Sequence, residues 1–164
     1  MDKKIDKALF FRLNIIEGIN YQSIMKEYVV ENKQLTAWYA DLQKKREKIG
    51  KYRRLWSRKR TGIPFVKFYD EISKREKKCC YCGITQDNID RLYKKKRILN
   101  EKRYTRGRQL ELERKDPSEP YSNLKNLVWA CYWCNNAKSD QFTYKEFKPF
   151  GKYMAKIWQK RLSK

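Results

Sequence analysis

Residues 78–83 read K-C-C-Y-C-G, and residues 126–140 read N-L-V-W-A-C-Y-W-C-N-N-A-K-S-D. Each stretch holds a Cys-x-x-Cys pair: Cys79 with Cys82, and Cys131 with Cys134. A pair at this spacing forms a knuckle that turns both sulfurs toward one point, and two knuckles close a tetrahedral zinc site. Protein then fills all four positions, so the zinc is structural and any chemistry sits beside it. The fifth cysteine, Cys80, reads as a small buried hydrophobe. This cysteine usage fits a reducing cytoplasm better than a disulfide scaffold.

Between the knuckles, residues 109–114 read Q-L-E-L-E-R. Leu110 and Leu112 face one way and Glu111 and Glu113 the other, the period-2 pattern of a strand. Pro117 and Pro120 hold a loop. Residues 127–130 form a second strand that runs into the second knuckle, and a helix spans residues 134–140. The expected fold is therefore α+β, with a strand–loop–strand–helix unit stapled by zinc.

Working outward, Ile89, Leu92 and Tyr93 predict a short helix after Gly83. Residues 94–108 carry eight basic residues and one acid with no apolar period, which predicts a mobile basic loop that orders on nucleic acid. Lys94, Lys95, Lys96, Arg97, Arg106 and Arg108 are its candidate phosphate contacts. On the other side, Thr143 and Glu146 make a capping box. Pro149 is expected to interrupt that helix, after which Phe150, Tyr153, Met154, Ile157 and Trp158 give a last amphipathic helix. Lys138, Lys145 and Lys148 are further candidate phosphate contacts. Trp129 and Trp133 read as core.

The amino-terminal part is helical by pattern. Ile5, Leu9, Leu13 and Ile16 predict a helix over residues 3–17 that stops at Gly18. A second helix fits residues 21–29 with Ile24 and Tyr28 inward. A third fits residues 33–48 with Leu35, Trp38, Tyr39 and Leu42 inward. Residues 43–60 are nearly all charged and predict a helical linker broken at Gly50. Gly62 and Pro64 mark the boundary, giving domains at residues 1–60 and 61–164. Phe65, Phe68, Tyr69 and Ile72 then form one helical face leading into the first knuckle.

The chain has 164 residues, a net charge of +22 and no histidine. Basic residues outnumber acidic ones 16 to 7 in positions 1–60 and 25 to 12 in the remainder. Both parts thus lie along one polyanion. Double-stranded DNA is the expected partner, and RNA fits the charge as well. A membrane surface is disfavoured, because the charges are interleaved with Trp and Tyr throughout. No apolar run approaches membrane-spanning length, and Arg12 and Asn14 break the amino-terminal apolar stretch, so it does not read as a signal peptide.

Two resemblances add to this reading. Residues 17–39, E-G-I-N-Y-Q-S-I-M-K-E-Y-V-V-E-N-K-Q-L-T-A-W-Y, resemble the helix-turn-helix segment of transposases and repressors. That resemblance implies that Asn32, Lys33, Gln34, Thr36 and Ala37 face the major groove, where Asn and Gln pair with adenine edges. Residues 78–142 resemble the HNH, or ββα-metal, endonucleases. The landmarks are Cys79, Tyr81, Cys82, Gly83 and Ile84; Glu113 and Arg114; Tyr121 and Ser122; Asn126; Ala130, Cys131, Cys134 and Asn135; Lys138 and Ser139. Within that superfamily they look like those of the PacI-type restriction endonucleases.

The HNH resemblance implies a Mg²⁺-dependent phosphodiester hydrolase. Glu113 and Asn135 would hold the Mg²⁺, and Asn126 would brace the loop. Arg114 stands where the superfamily's histidine base is expected. Arg cannot act as a base, so the PacI-type resemblance hands proton transfer to Tyr81 and makes Arg114 a phosphate clamp. A phenol in that role needs its pKa lowered, and Arg114, zinc and Mg²⁺ are expected to lower it. Metal-bound hydroxide and Glu111 are the other candidates for the base. The group's usual Asp is here Glu113, one methylene longer. The expected function is a restriction, phage-borne or mobile-element DNA endonuclease of a bacterial or phage-infected cytoplasm. The alternative is a catalytically inactive zinc-containing DNA-binding protein. Cutting both strands of a palindrome would imply a two-fold homodimer, which nothing in the sequence demands.

Overall fold

The computed structural model describes residues 3–98 and 106–163. The chain divides into two compact units, residues 1–74 and residues 75–164. No helix among the described residues is long and apolar enough to cross a membrane.

The first unit is all helical. Asp6 caps α1 (Lys7–Phe10) by accepting from the Leu9 amide, which starts the helix four residues later than the apolar spacing suggested. Lys4 is instead bridged to Val29 in parallel. The helix continues as a π-helical stretch, Phe11–Glu17, and ends at Gly18, whose φ of 81° is left-handed and cheap only for glycine. Asn20 caps α2 (Tyr21–Glu27). Then follow α3 (Asn32–Asp41) and α4 (Gln43–Lys59).

The expected third helix is thus two, hinged at Leu42, because Leu42 leaves helical ψ to turn its side chain into the core. Gly50 breaks nothing: α4 runs through it to a left-handed Arg60. Phe10, Ile24, Leu35 and Leu42 form one core cluster, with Tyr21 and Trp38 packed against it. Tyr39, expected inward, is exposed and stacks under the Arg46 guanidinium, 3.6 Å from its ring centre.

The expected boundary at residue 60 falls short of the one observed. Helix α5 (Phe65–Ile72) belongs to the first unit. Asp70 accepts both guanidinium ends of Arg12, at 2.5 and 2.8 Å, and Phe65 meets Trp56 edge-on. An amphipathic helix goes where its apolar face is covered, and the α4 aromatics cover this one.

The second unit begins with the first knuckle. Thr85 caps α6 (Gln86–Lys94) and Ile89 and Leu92 are buried. Residues 99–105 of the predicted basic loop lie outside the described residues. Strand β1 (Glu111–Arg114) pairs antiparallel with β2 (Leu127–Ala130), Glu111 opposite Ala130 and Glu113 opposite Val128. Helix α7 (Tyr132–Lys138) follows directly and starts two residues before Cys134. Thr143 and Glu146 form the capping box of α8 (Tyr144–Leu162).

Pro149 does not interrupt α8. An interior proline costs about 3 kcal/mol, but here the burial of Phe147 and Trp158 on either side of it outweighs that penalty. Gly151 lies on the same buried face. A Cβ there would sit 2.5 Å from the Tyr81 carbonyl oxygen, so only glycine lets α8 approach the first knuckle this closely. The residues expected on the inner face are mostly outside: Phe150, Tyr153 and Ile157 are exposed.

Candidate functional site

The two knuckles meet as expected. Cys79, Cys82, Cys131 and Cys134 are all buried, with their sulfurs within 4.8 Å of one another. A regular zinc tetrahedron with bonds of about 2.3 Å has edges of about 3.8 Å, and the Cys82–Cys131 edge is 3.7 Å. The chemistry of this donor set, four thiol sulfurs and no oxygen, fits a structural zinc.

The cluster fixes what stands next to it. Cys131 accepts from the Cys134 amide as the N-cap of α7, so Asn135 and Lys138, one turn apart, share one helical face. Opposite them Glu111 and Glu113 share one face of β1. Helix and strand pair crosswise. Asn135 Nδ2 donates to Glu111 Oε2 at 2.5 Å, and Lys138 Nζ meets Glu113 Oε1 at 3.0 Å. Tyr81 donates its hydroxyl to the same Glu113 Oε1 at 3.2 Å. Glu113 Oε2 is buried without a partner among the described residues.

These contacts change the roles expected of several residues. Lys138 is not a surface phosphate contact: it is 1% exposed and neutralises a 5% exposed glutamate. Glu113 and Asn135, expected to share one cation, make their closest bonds elsewhere. Burial pushes the Glu113 carboxyl up to about 7 despite the Lys138 ammonium. Tyr81 goes the opposite way from the expectation. Burial, then the neighbouring Glu113 charge, push its hydroxyl well above the ordinary phenol value. Of the three cations expected to lower it, Arg114 lies over the Tyr121 ring at 4.8 Å and donates to the Glu119 carbonyl. Tyr81 is wedged between Tyr144 and Phe147 of α8, with ring centres 5.4 and 5.2 Å away.

Asn126 is buried just before β2. Its side chain accepts from the Asp116 amide and donates to the Asp116 carbonyl, at 2.9 and 2.8 Å, pinning the loop after β1. Lys94, Lys95, Lys96 and Arg97 are exposed at the end of α6. Arg106 lies over Tyr132 and Arg108 over Tyr93. In the first unit Asn32, Lys33, Gln34, Thr36 and Ala37 are exposed along α3 while Leu35 points into the core. The partnerships missed from the sequence are Glu111 with Asn135 and Lys138 with Glu113. Part of their signal was present: residues 111 and 113 share one strand face and residues 135 and 138 one helix face, which leaves open which carboxylate meets which partner.

Protein-family models give no match to this chain, and neither do curated proteins. One solved structure stands out. The chain is similar to the rare-cutting HNH restriction endonuclease PacI, with 31% identity over 59% of this chain and a TM-score of 0.43. The match spans 63% of that protein's length.

Proposed function

We propose that this protein is a metal-dependent DNA endonuclease of the HNH type. Its second unit would be the zinc-stapled ββα-metal domain, and its first a helix-turn-helix module that reads DNA through Asn32, Lys33, Gln34 and Thr36. One observation carries the reading. Beside a four-sulfur cluster in a chain of net charge +22, the buried Glu113 keeps one carboxylate oxygen with no hydrogen-bond partner among the described residues. A buried carboxylate oxygen left bare is costly, and a divalent cation is the partner that fits it.

The crosswise pairs support the same assignment. Lys138 and Tyr81 both occupy Glu113 Oε1, which leaves Oε2 as the oxygen to offer. Glu111 is a carboxylate and accepts only, so its bond to Asn135 Nδ2 turns the amide oxygen Oδ1 away from it. Glu113 and Asn135 would then each present one oxygen, which suits Mg²⁺ because that ion keeps most of its waters. A divalent cation there supplies Lewis acidity at a phosphodiester. Tyr81, Lys138 and Glu111 orient the two ligands, and Asn126 braces the loop. Arg114 is half-buried and clamps a phosphate once it leaves the Glu119 carbonyl. Tyr81 donates its hydroxyl to Glu113 Oε1 and so acts as an orienting donor. Cutting both strands of a palindrome would use two copies related by a two-fold axis.

Supercoiled plasmid, incubated with Mg²⁺ or Mn²⁺, tests the proposal. Glu113→Ala and Asn135→Ala are expected to lower nicking by at least about 100-fold, the scale of losing a catalytic group. Tyr81→Phe, which removes an orienting bond only, is expected to lower it by about tenfold or less. A parent protein that leaves plasmid intact with every metal ends the enzyme reading. The contact favouring the other reading, an inactive zinc-containing DNA-binding protein, is the Lys138–Glu113 ion pair, which already meets the charge a metal would. That protein would still shift duplex DNA in a gel. Parallel digestion of RNA separates a ribonuclease from both.

A further inference from the structure

Helix α8 does more than back the first knuckle. Its exposed half divides lengthwise. Phe150, Tyr153 and Ile157, at i, i+3 and i+7, form one stripe and are 59%, 69% and 43% exposed. Lys145, Lys152 and Lys156 form the adjoining stripe, all exposed. The single acid in the helix, Glu146, is spent on the capping box. The apolar stripe is continuous with the candidate site: Tyr81 packs against Phe147, and Phe147 stacks on Phe150 at 5.7 Å with rings 19° apart. Lys156 already hovers 5.8 Å from the Tyr153 ring.

We infer that this face of α8 binds a single-stranded stretch of nucleic acid, stacking bases on Phe150 and Tyr153 while the lysine stripe tracks the phosphates. Exposed aromatic faces beside a row of cations are the two parts such binding needs. A paired duplex keeps its base faces covered, so rings that stand this far out meet bases only where the strands have opened. A second copy of the chain is a poor occupant, because a self-facing contact sets lysine against lysine at +22 charges per chain. The inference needs a polyanion as partner, which the chain's net charge of +22 attracts, and it names the form of substrate for the proposed nuclease without requiring that cleavage occur.

Fluorescence anisotropy with labelled oligothymidylate, and with its duplex on oligoadenylate, tests it on the full chain without divalent metal. Phe150→Ala and Tyr153→Ala are both surface changes. Each is expected to weaken single-strand binding by at least about fivefold, the low end for a stacked base, and duplex binding by less than about twofold. Lys152→Glu with Lys156→Glu should weaken both and flatten the salt dependence. Equal single-strand affinity in parent and ring variants overturns the inference. So does a concentration-dependent dimer, seen by sedimentation, that the ring variants abolish, since the stripe is then a contact between copies. Ring-dependent binding with no plasmid cleavage would sink the nuclease reading and keep this one. Cleavage with ring-independent binding would do the reverse.

Discussion

The two units are held together by different means. The first is built on apolar contact: Phe10, Ile24, Leu35 and Leu42 meet in one cluster, and its chief polar tie is the half-exposed Arg12–Asp70 pair. The second centres on four cysteines and, next to them, a buried lysine–glutamate pair. The contrast separates two ways of placing side chains. Apolar packing is tolerant of what fills it. A metal cluster with charged neighbours is not, since each buried charge depends on one partner. The second unit can therefore aim functional groups more sharply, and it is the more fragile.

Removing the metal should break the comparison most visibly. Structural zinc contributes roughly 10–16 kcal/mol of apparent binding energy to small domains. A strong chelator, or Cys131→Ser, is expected to abolish hydrogen-exchange protection in β1, β2 and α6 to α8 while α1 to α4 keep theirs. Equal loss in both units would mean that the first does not fold without the second. Equal retention would mean that the cysteines are not what holds the second together.

The next effect is smaller and falls on the ion pair. Lys138→Met leaves the Glu113 carboxyl buried without its partner, and breaking one side of such a pair costs about 3–5 kcal/mol at a pH high enough to keep that carboxylate ionised. Adding Glu113→Gln should restore much of that, because an amide needs no counter-charge. The measurement is urea unfolding of the zinc-loaded protein, read from exchange in peptides of the second unit. A double variant no more stable than Lys138→Met would show that lysine packing, and not its charge, was lost.

How much of this was legible beforehand follows the same divide. Periodicity found the helices of the first unit and, in the cluster around Phe10, the buried Ile24, Leu35 and Leu42, because burial leaves a repeating pattern. It missed Phe10 and the turn at Leu42, since a half-turn adjustment at a helix end costs too little to leave a mark. In the second unit Cys-x-x-Cys spacing located the cluster. The alternation of Leu110 and Leu112 with Glu111 and Glu113 located β1, and the stretches flanking the second knuckle gave β2 and, two residues late, α7. None of these revealed which carboxylate bonds which helix residue. Both faces of β1 are covered, so Glu111 and Glu113 look equivalent in the sequence, and only the seating of α7 assigns Asn135 to one and Lys138 to the other. Pro149 misled because a local rule was applied without the buried faces on either side of it.

The smallest expected effect concerns protons and has a definite sign. Burial raises Glu113 from its ordinary 4.5 to about 7 in the folded chain. Between those values the folded protein holds a proton that the unfolded chain has released, so stability declines as pH rises through this window and is level above it. The decline is at most about 1.4 kcal/mol per pH unit, or about 3 kcal/mol in all. Cysteine protonation acts with the opposite sign, because zinc is lost as pH falls. The informative quantity is thus the difference between zinc-saturated parent and Glu113→Gln, followed by urea unfolding from about pH 5 to 8. The parent should lose stability relative to the variant as pH rises. Parallel curves would mean that Glu113 is already ionised across the window, fully neutralised by Lys138, and that the second unit tolerates a buried charge as cheaply as the first tolerates its surface pair.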